Sequence, residues 1–85
     1  MREFEYVITD ELGLHARPAG MLVKEAGKFV SAVSIARGEK KVDAKKIFGV
    51  MGMAVKCGDT IVITADGEDE DDAIAAMEAF VQANL

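Results

Sequence analysis

Apolar residues in this chain form short alternating runs and longer helical stripes, and the order of the two limits the folds open to it. Phe4, Tyr6 and Ile8 alternate with Glu5, Val7 and Thr9, the period of a half-buried strand. Ala19, Leu22, Val23 and Ala26 share one face of a helix over 16–27, with Gly27 as its stop. Val33 and Ile35 alternate with Ser34 and Ala36, and Ser31 reads as a strand residue too. The turn Arg37-Gly38-Glu39 leads into a short charged strand over 40–42, of the kind that protects a sheet edge. A short apolar helix is predicted over 47–53, and the β-prone run 60–65 ends at the turn Asp66-Gly67. In the last helix, 70–83, Asp69 is the expected N-cap and Ala73, Ile74, Met77, Phe80 and Val81 the buried stripe. The order β-α-β-β-α-β-α predicts an α+β fold, a four-stranded antiparallel sheet with three helices on one face.

One domain over 1–85 is expected, since a chain of this length buries only about 60% of its unfolded surface and needs an efficient core. A hydrophobic content of 51% is enough to build one. The net charge of −5 argues against nucleic acid as a partner, because phosphate contacts supply most of that affinity. No apolar run approaches the roughly 18–20 residues that cross a bilayer, and Met1-Arg2-Glu3-Phe4-Glu5 is too charged for a secretory signal, so no membrane insertion is expected. Cys57 is the only cysteine, read as a small, partly buried side chain; that excludes an internal disulfide and fits a cytoplasmic location. A single histidine far from a single cysteine argues against metal, and no cofactor motif appears. The acidic run Glu68 to Asp72 lacks the oxygen spacing of a calcium loop and reads as a helix start.

The stretch Gly13-Leu14-His15-Ala16-Arg17-Pro18-Ala19-Gly20 holds the only histidine and the only proline. Proline is tolerated in the first turn of a helix, where its missing N–H would have no partner. His15 therefore lies at or just before a helix N-terminus, with the start blurred by a residue or two because Pro18 disfavours helical angles at Arg17. Unpaired N–H groups and a partial positive charge make such an end attractive to phosphate. An imidazole with a free ring nitrogen, beside an anion site and a guanidinium, suits the capture and release of a phosphoryl group. A lone histidine is also commonly a plain surface residue, and chemistry alone leaves both readings open.

The octapeptide resembles the active-site signature of the HPr family, the histidine-containing phosphocarriers of the bacterial sugar phosphotransferase system. Asp43-Ala44-Lys45 with Ile47-Phe48-Gly49-Val50-Met51 resembles the family's second block. Gly58-Asp59-Thr60-Ile61 and Ala65-Asp66-Gly67-Glu68-Asp69-Glu70 resemble its last strand and turn. The resemblance covers essentially the whole chain. It implies an open-faced β-sandwich, phosphoryl uptake from enzyme I and delivery to IIA domains of sugar permeases, with the chain acting as a carrier rather than a stand-alone enzyme. By position it implies His15 as phosphoryl acceptor through Nδ1, Arg17 as the residue that steadies the phosphoryl group, and the N–H groups of Ala16 and Arg17 as its backbone cradle. In one branch of the family a regulatory serine follows the lysine of the second block. Here Lys46 stands there, which puts kinase control of that site, and the co-repressor role that depends on it, in doubt.

Ile47, Phe48 and Met51 are more apolar than a short surface helix needs. Core is the plainer reading for Ile47 and Val50, whereas Phe48 and Met51 read as solvent-facing anchors. The resemblance implies a docking surface of Met21, Lys24, Ile47, Phe48, Met51 and Lys56, shared by enzyme I and IIA domains and used by a monomer. A transient carrier should bury a small interface, below about 1,200 Å². Two other readings compete: a regulatory paralogue in a nitrogen-related phosphotransferase branch, and a ferredoxin-like ligand-binding or interaction module with no need of His15 and Arg17.

Overall fold

The structure is a computed structural model that describes residues 1–85. Its elements are β1 (Arg2–Val7), α1 (Ala16–Ala26), β2 (Ala32–Arg37), β3 (Lys40–Asp43), α2 (Ile47–Gly52), β4 (Thr60–Asp66) and α3 (Glu70–Asn84). The strands form one antiparallel sheet in the order β1-β4-β2-β3. The three helices pack on one face of it, giving the expected open-faced sandwich. A ferredoxin-like sheet would hold β1 inside, beside β3. Here β1 is an edge strand paired only with β4, which removes that alternative.

Register explains which face is apolar. Phe4, Ile63, Ile35 and Val42 form one cross-strand row beneath the helices. The next row along, Glu5, Val62, Ala36 and Lys41, therefore faces the open side, because strand side chains alternate. On that open side Ser34 and Thr64, opposite each other, share a hydroxyl–hydroxyl hydrogen bond. The core between layers includes Ile8, Leu22, Ile35, Met53, Ile61, Ile63, Met77 and Val81, each essentially removed from water. Each such side chain contributes about 1.5–3 kcal/mol relative to exposure. Of the α3 stripe, Ala73, Met77 and Val81 are buried, while Ile74 and Phe80 are half-buried against the core.

Several local expectations differ from the structure. Gly27 caps α1 with right-handed angles (φ −66°), so the helix end does not depend on glycine there. Ser31 is not in a strand: it is a buried residue just before β2. Asp69 occupies the N-cap position of α3, but its side chain does not cap the helix. Instead its carboxylate accepts hydrogen bonds from the N–H groups of Val30 (3.0 Å) and Ser31 (2.9 Å) and from the Ser31 hydroxyl. A long-range clasp between the lead-in to β2 and the start of α3 has displaced the local cap.

That clasp has a pH consequence. The Ser31 hydroxyl, with the two N–H groups, holds Asp69 below the usual carboxylate value. A carboxylate depressed in the folded state stabilises above its unfolded value and loses that contribution as pH falls through the folded one. Stability should therefore fall on acidification below about pH 4, the ordinary aspartate range. Asp69→Asn should flatten part of that fall, read from thermal midpoints across the acid range. An unchanged acid slope in Asp69→Asn would assign the loss to other carboxylates, Asp59 among them, which is held low by the Lys56 N–H and then by Arg37.

Candidate functional site

The site is built on the loop between β1 and α1. Past β1, Ile8 is buried, and its neighbours are drawn toward the end of α3. The N–H groups of Thr9 and Asp10 both donate to the main-chain oxygen of Leu85, at 2.6 and 2.8 Å, and the Thr9 hydroxyl adds a third bond at 2.9 Å. Asp10 then organises the turn: its Oδ1 accepts the Leu12 N–H at 2.8 Å, and its carbonyl accepts the Gly13 N–H at 2.9 Å. Gly13 has a left-handed φ of +66° and lies directly on the Val55–Lys56 backbone, where a Cβ would meet the Val55 oxygen at 2.4 Å. The Leu14 N–H donates to that same oxygen, and the Leu14 side chain is buried. These contacts deliver His15 to the start of α1 along one path.

His15 is the N-cap residue of α1, with extended angles (φ −83°, ψ −177°) and a carbonyl that accepts the Ala19 N–H at 3.0 Å. Its side chain makes no capping bond. The first free N–H groups of the helix, those of Ala16 and Arg17, have no acceptor within α1, and Pro18 has no N–H to leave unpaired. Arg17 is helical despite preceding Pro18, so the helix begins at Ala16, where the apolar pattern put it. Ala19, Leu22 and Ala26 are fully buried and hold this helix on the core.

The imidazole is 36% exposed, and its Nε2 lies 4.0 Å from Asp10 Oδ2. His15, Arg17, Asp10, Pro18, Met21 and Asn84 line one cavity of about 270 Å³. Two hollows of about 390 and 490 Å³ lie elsewhere, on the open sheet face and between β3 and α2, and neither touches His15. Size does not mark the site here; the chemistry of its lining does. The Arg17 side chain forms no ion pair within the chain. An uncommitted guanidinium and two amides without an intrahelical acceptor lie beside an accessible imidazole, the groups that suit an anion next to a ring nitrogen.

Of the residues expected to dock partners, Met21 lines this cavity, and Lys24, Phe48, Met51 and Lys56 are all exposed. Phe48 is 88% exposed at the tip of α2, which packs beside α1. Lys56 is brought near through the Gly13 contact. Ile47 differs: it is half-buried against the core, as the plainer reading had it, and offers partners only part of its surface. Leu12, 72% exposed in the loop before His15, extends the apolar surface and was not singled out by sequence. Asp10 and Asn84 were missed as well. Cys57 is exposed rather than partly buried, with Sγ 3.8 Å from the Thr9 carbonyl oxygen. No three metal-ligating side chains come together, and no helix is long and apolar enough to cross a membrane.

Residues 2–83 match the family model described as the PTS HPr component phosphorylation site. The chain is 51% identical over 78 residues to the phosphocarrier protein HPr of Mycoplasma capricolum, across 92% of this chain and 88% of that one. Among solved structures it is similar to HPr of Thermoanaerobacter tengcongensis, with a TM-score of 0.93 and 38% identity, covering 98% of this chain and 93% of that one. It is also similar to Crh of Bacillus subtilis, solved as a swapped dimer, with a TM-score of 0.78 and 39% identity over 100% of this chain and 98% of that one.

Proposed function

The chain belongs to the HPr phosphocarrier family, and on that premise we propose that it takes a phosphoryl group from phosphorylated enzyme I onto His15 Nδ1 and passes it to IIA domains of sugar permeases. The observation that carries this reading is the placing of an accessible imidazole at the open start of α1, with Arg17 in the same cavity. As phosphorus moves onto the ring nitrogen, its oxygens gain the amides of Ala16 and Arg17 and the Arg17 guanidinium. The donor and the acceptor bring the opposing catalytic groups, and the carrier lends its nitrogen in both directions. The exposed apolar residues of α1 and α2, Met21, Phe48 and Met51, with Lys24 and Lys56 at the rim, form the surface both partners use in turn. On this reading the carrier works in the cytoplasm and as a monomer. The test is intact-mass measurement after incubation with enzyme I and phosphoenolpyruvate. One acid-labile phosphoryl group is expected, and none would end the carrier reading.

Arg17→Ala should slow transfer at least tenfold, the effect of losing one charge-assisted contact of about 1.5–3 kcal/mol, while leaving the thermal midpoint nearly unchanged because the side chain is exposed and unpaired. Arg17→Lys should recover only part of the rate, since a point charge lacks the paired donors. Equal stopped-flow rates for parent and Arg17→Ala with both partners would remove Arg17 from the site.

Lys46 is the exposed N-cap residue of α2, where its charge opposes the helix dipole. It borders the docking surface at Ile47 and Phe48 and cannot accept the phosphate that a serine there would take. HPr kinase with ATP should leave the chain unmodified, and Lys46→Glu should slow uptake from enzyme I. A mass gain with kinase, or a Lys46→Glu rate equal to the parent, would place control elsewhere.

A further inference from the structure

We propose that Asp10 is a positioning residue for His15, fixing which ring nitrogen carries the proton and which receives phosphorus; this rests on the phosphoryl-acceptor reading above. Three bonds pin Asp10: its N–H to the Leu85 oxygen, its carbonyl to the Gly13 N–H, and its Oδ1 to the Leu12 N–H. With Oδ1 committed to the turn, Oδ2 is the oxygen left over, and it faces His15 Nε2 at 4.0 Å. That separation is too long for a hydrogen bond but well within the range of charge attraction. The side chains are 30% and 36% exposed, so the pair is partly shielded from water. Arg17 is the only other charged side chain lining the cavity.

Two effects follow. In the neutral ring a carboxylate at Nε2 favours the Nε2–H tautomer, which leaves the lone pair on Nδ1. It also repels an anionic phosphoryl group from Nε2. In the forward step the donor's bond to phosphorus breaks, the donor keeps that electron pair, and the Nδ1 lone pair forms the new N–P bond. Nε2 keeps its proton, and the ring passes from neutral to cationic. The Asp10 carboxylate stabilises the charge that develops. In delivery the acceptor attacks phosphorus, Nδ1 recovers its electron pair, and the ring becomes neutral again.

Asp10→Asn is the informative variant, because the amide oxygen still accepts the Leu12 N–H and only the charge is lost. Asp10→Ala removes charge and turn together. The first readout is the ring ¹⁵N spectrum of the unphosphorylated protein at about pH 9, above the ordinary imidazole value. Asp10→Asn is expected to raise the share of the Nδ1–H tautomer. The second is uptake from phosphorylated enzyme I, expected to fall about three- to fivefold, the upper part of what a partly exposed ion pair supplies, with a share of the product now on Nε2. A tautomer population equal to the parent's overturns the proposal. So does Asp10→Ala slowing uptake while Asp10→Asn does not, since that marks a role for the turn alone. If the parent itself takes up no phosphoryl group, the carrier reading fails, and the tautomer spectrum still decides the role of Asp10.

Discussion

His15→Ala should give a folded chain that takes up no phosphoryl group at all. The imidazole caps nothing, donates no hydrogen bond within the fold and is partly exposed. Its removal should therefore change stability by no more than about 0.5 kcal/mol, as for surface positions away from special features. Function has no such reserve. His15 is the only imidazole in the chain, and the free amides and Arg17 converge where it stands. The thiol of Cys57 and the serine hydroxyls of Ser31 and Ser34 are not substitutes: Cys57 lies outside the cavity that His15 lines, Ser31 is buried and bound to Asp69, and Ser34 is bound to Thr64 on the open sheet face. Acid lability of the label, intact mass and a melting curve on one preparation check the pair of claims. Label surviving in His15→Ala would move the acceptor to another residue, and a collapsed melting curve would show that the ring does more for the fold than its contacts reveal.

Gly13→Ala should be the most damaging single methyl group that can be added near the site. At φ +66° an alanine carries the ordinary left-handed penalty of about 1–2 kcal/mol. Beyond that, its Cβ would lie 2.4 Å from the Val55 oxygen and 2.7 Å from the Lys56 Cα, and neither is a flexible side chain. Either the loop lifts or the 55–56 segment moves, and each breaks the Leu14 N–H bond to Val55. Together these should cost about 3 kcal/mol or more, a drop of roughly 12–24 °C in thermal midpoint for a domain of this size. Gly38→Ala is the matched control. Its φ is +60°, with open space where the methyl would go, so it should show the backbone penalty without the collision. Phosphoryl uptake by Gly13→Ala, measured well below its own midpoint, should also fall, because His15 follows two residues on. Equal losses for the two glycine variants would mean that the loop yields to the methyl group at little cost.

The contrast between these residues shows what a sequence can reveal. The strands and helices were legible because periodicity is a local consequence of which face is buried. Phe4, Tyr6 and Ile8 alternate because they lie under the helices. His15 and Arg17 were legible because Pro18 marks a helix start a few residues away. Asp69 was misread because its partners, Val30 and Ser31, lie 39 and 38 residues away, and a carboxylate that satisfies two N–H groups and a hydroxyl across the fold gains more than one that caps its own helix. No residue pattern in the sequence marks Asp10. It lies near His15 in sequence, yet the path that turns its carboxylate toward the ring is set by Leu85, and no local pattern carries that.

The anchoring of Thr9 and Asp10 to Leu85 also bears on how the protein comes into being. The hydrogen bond from the Thr9 hydroxyl to that oxygen joins residues 76 apart, so the loop that holds the histidine is closed by almost the full length of the chain. Closing so long a loop costs entropy that is recovered only once the sheet and α3 are in place. The histidine lies near one end of that loop, and its surroundings are complete only once Leu85 is in place. A chain still lacking the last turn of α3 would carry the nucleophile without the wall that aims it. The His15 loop thus depends on the completeness of the whole fold, and under the carrier reading a partner that engages His15 tests the folding of the chain with it.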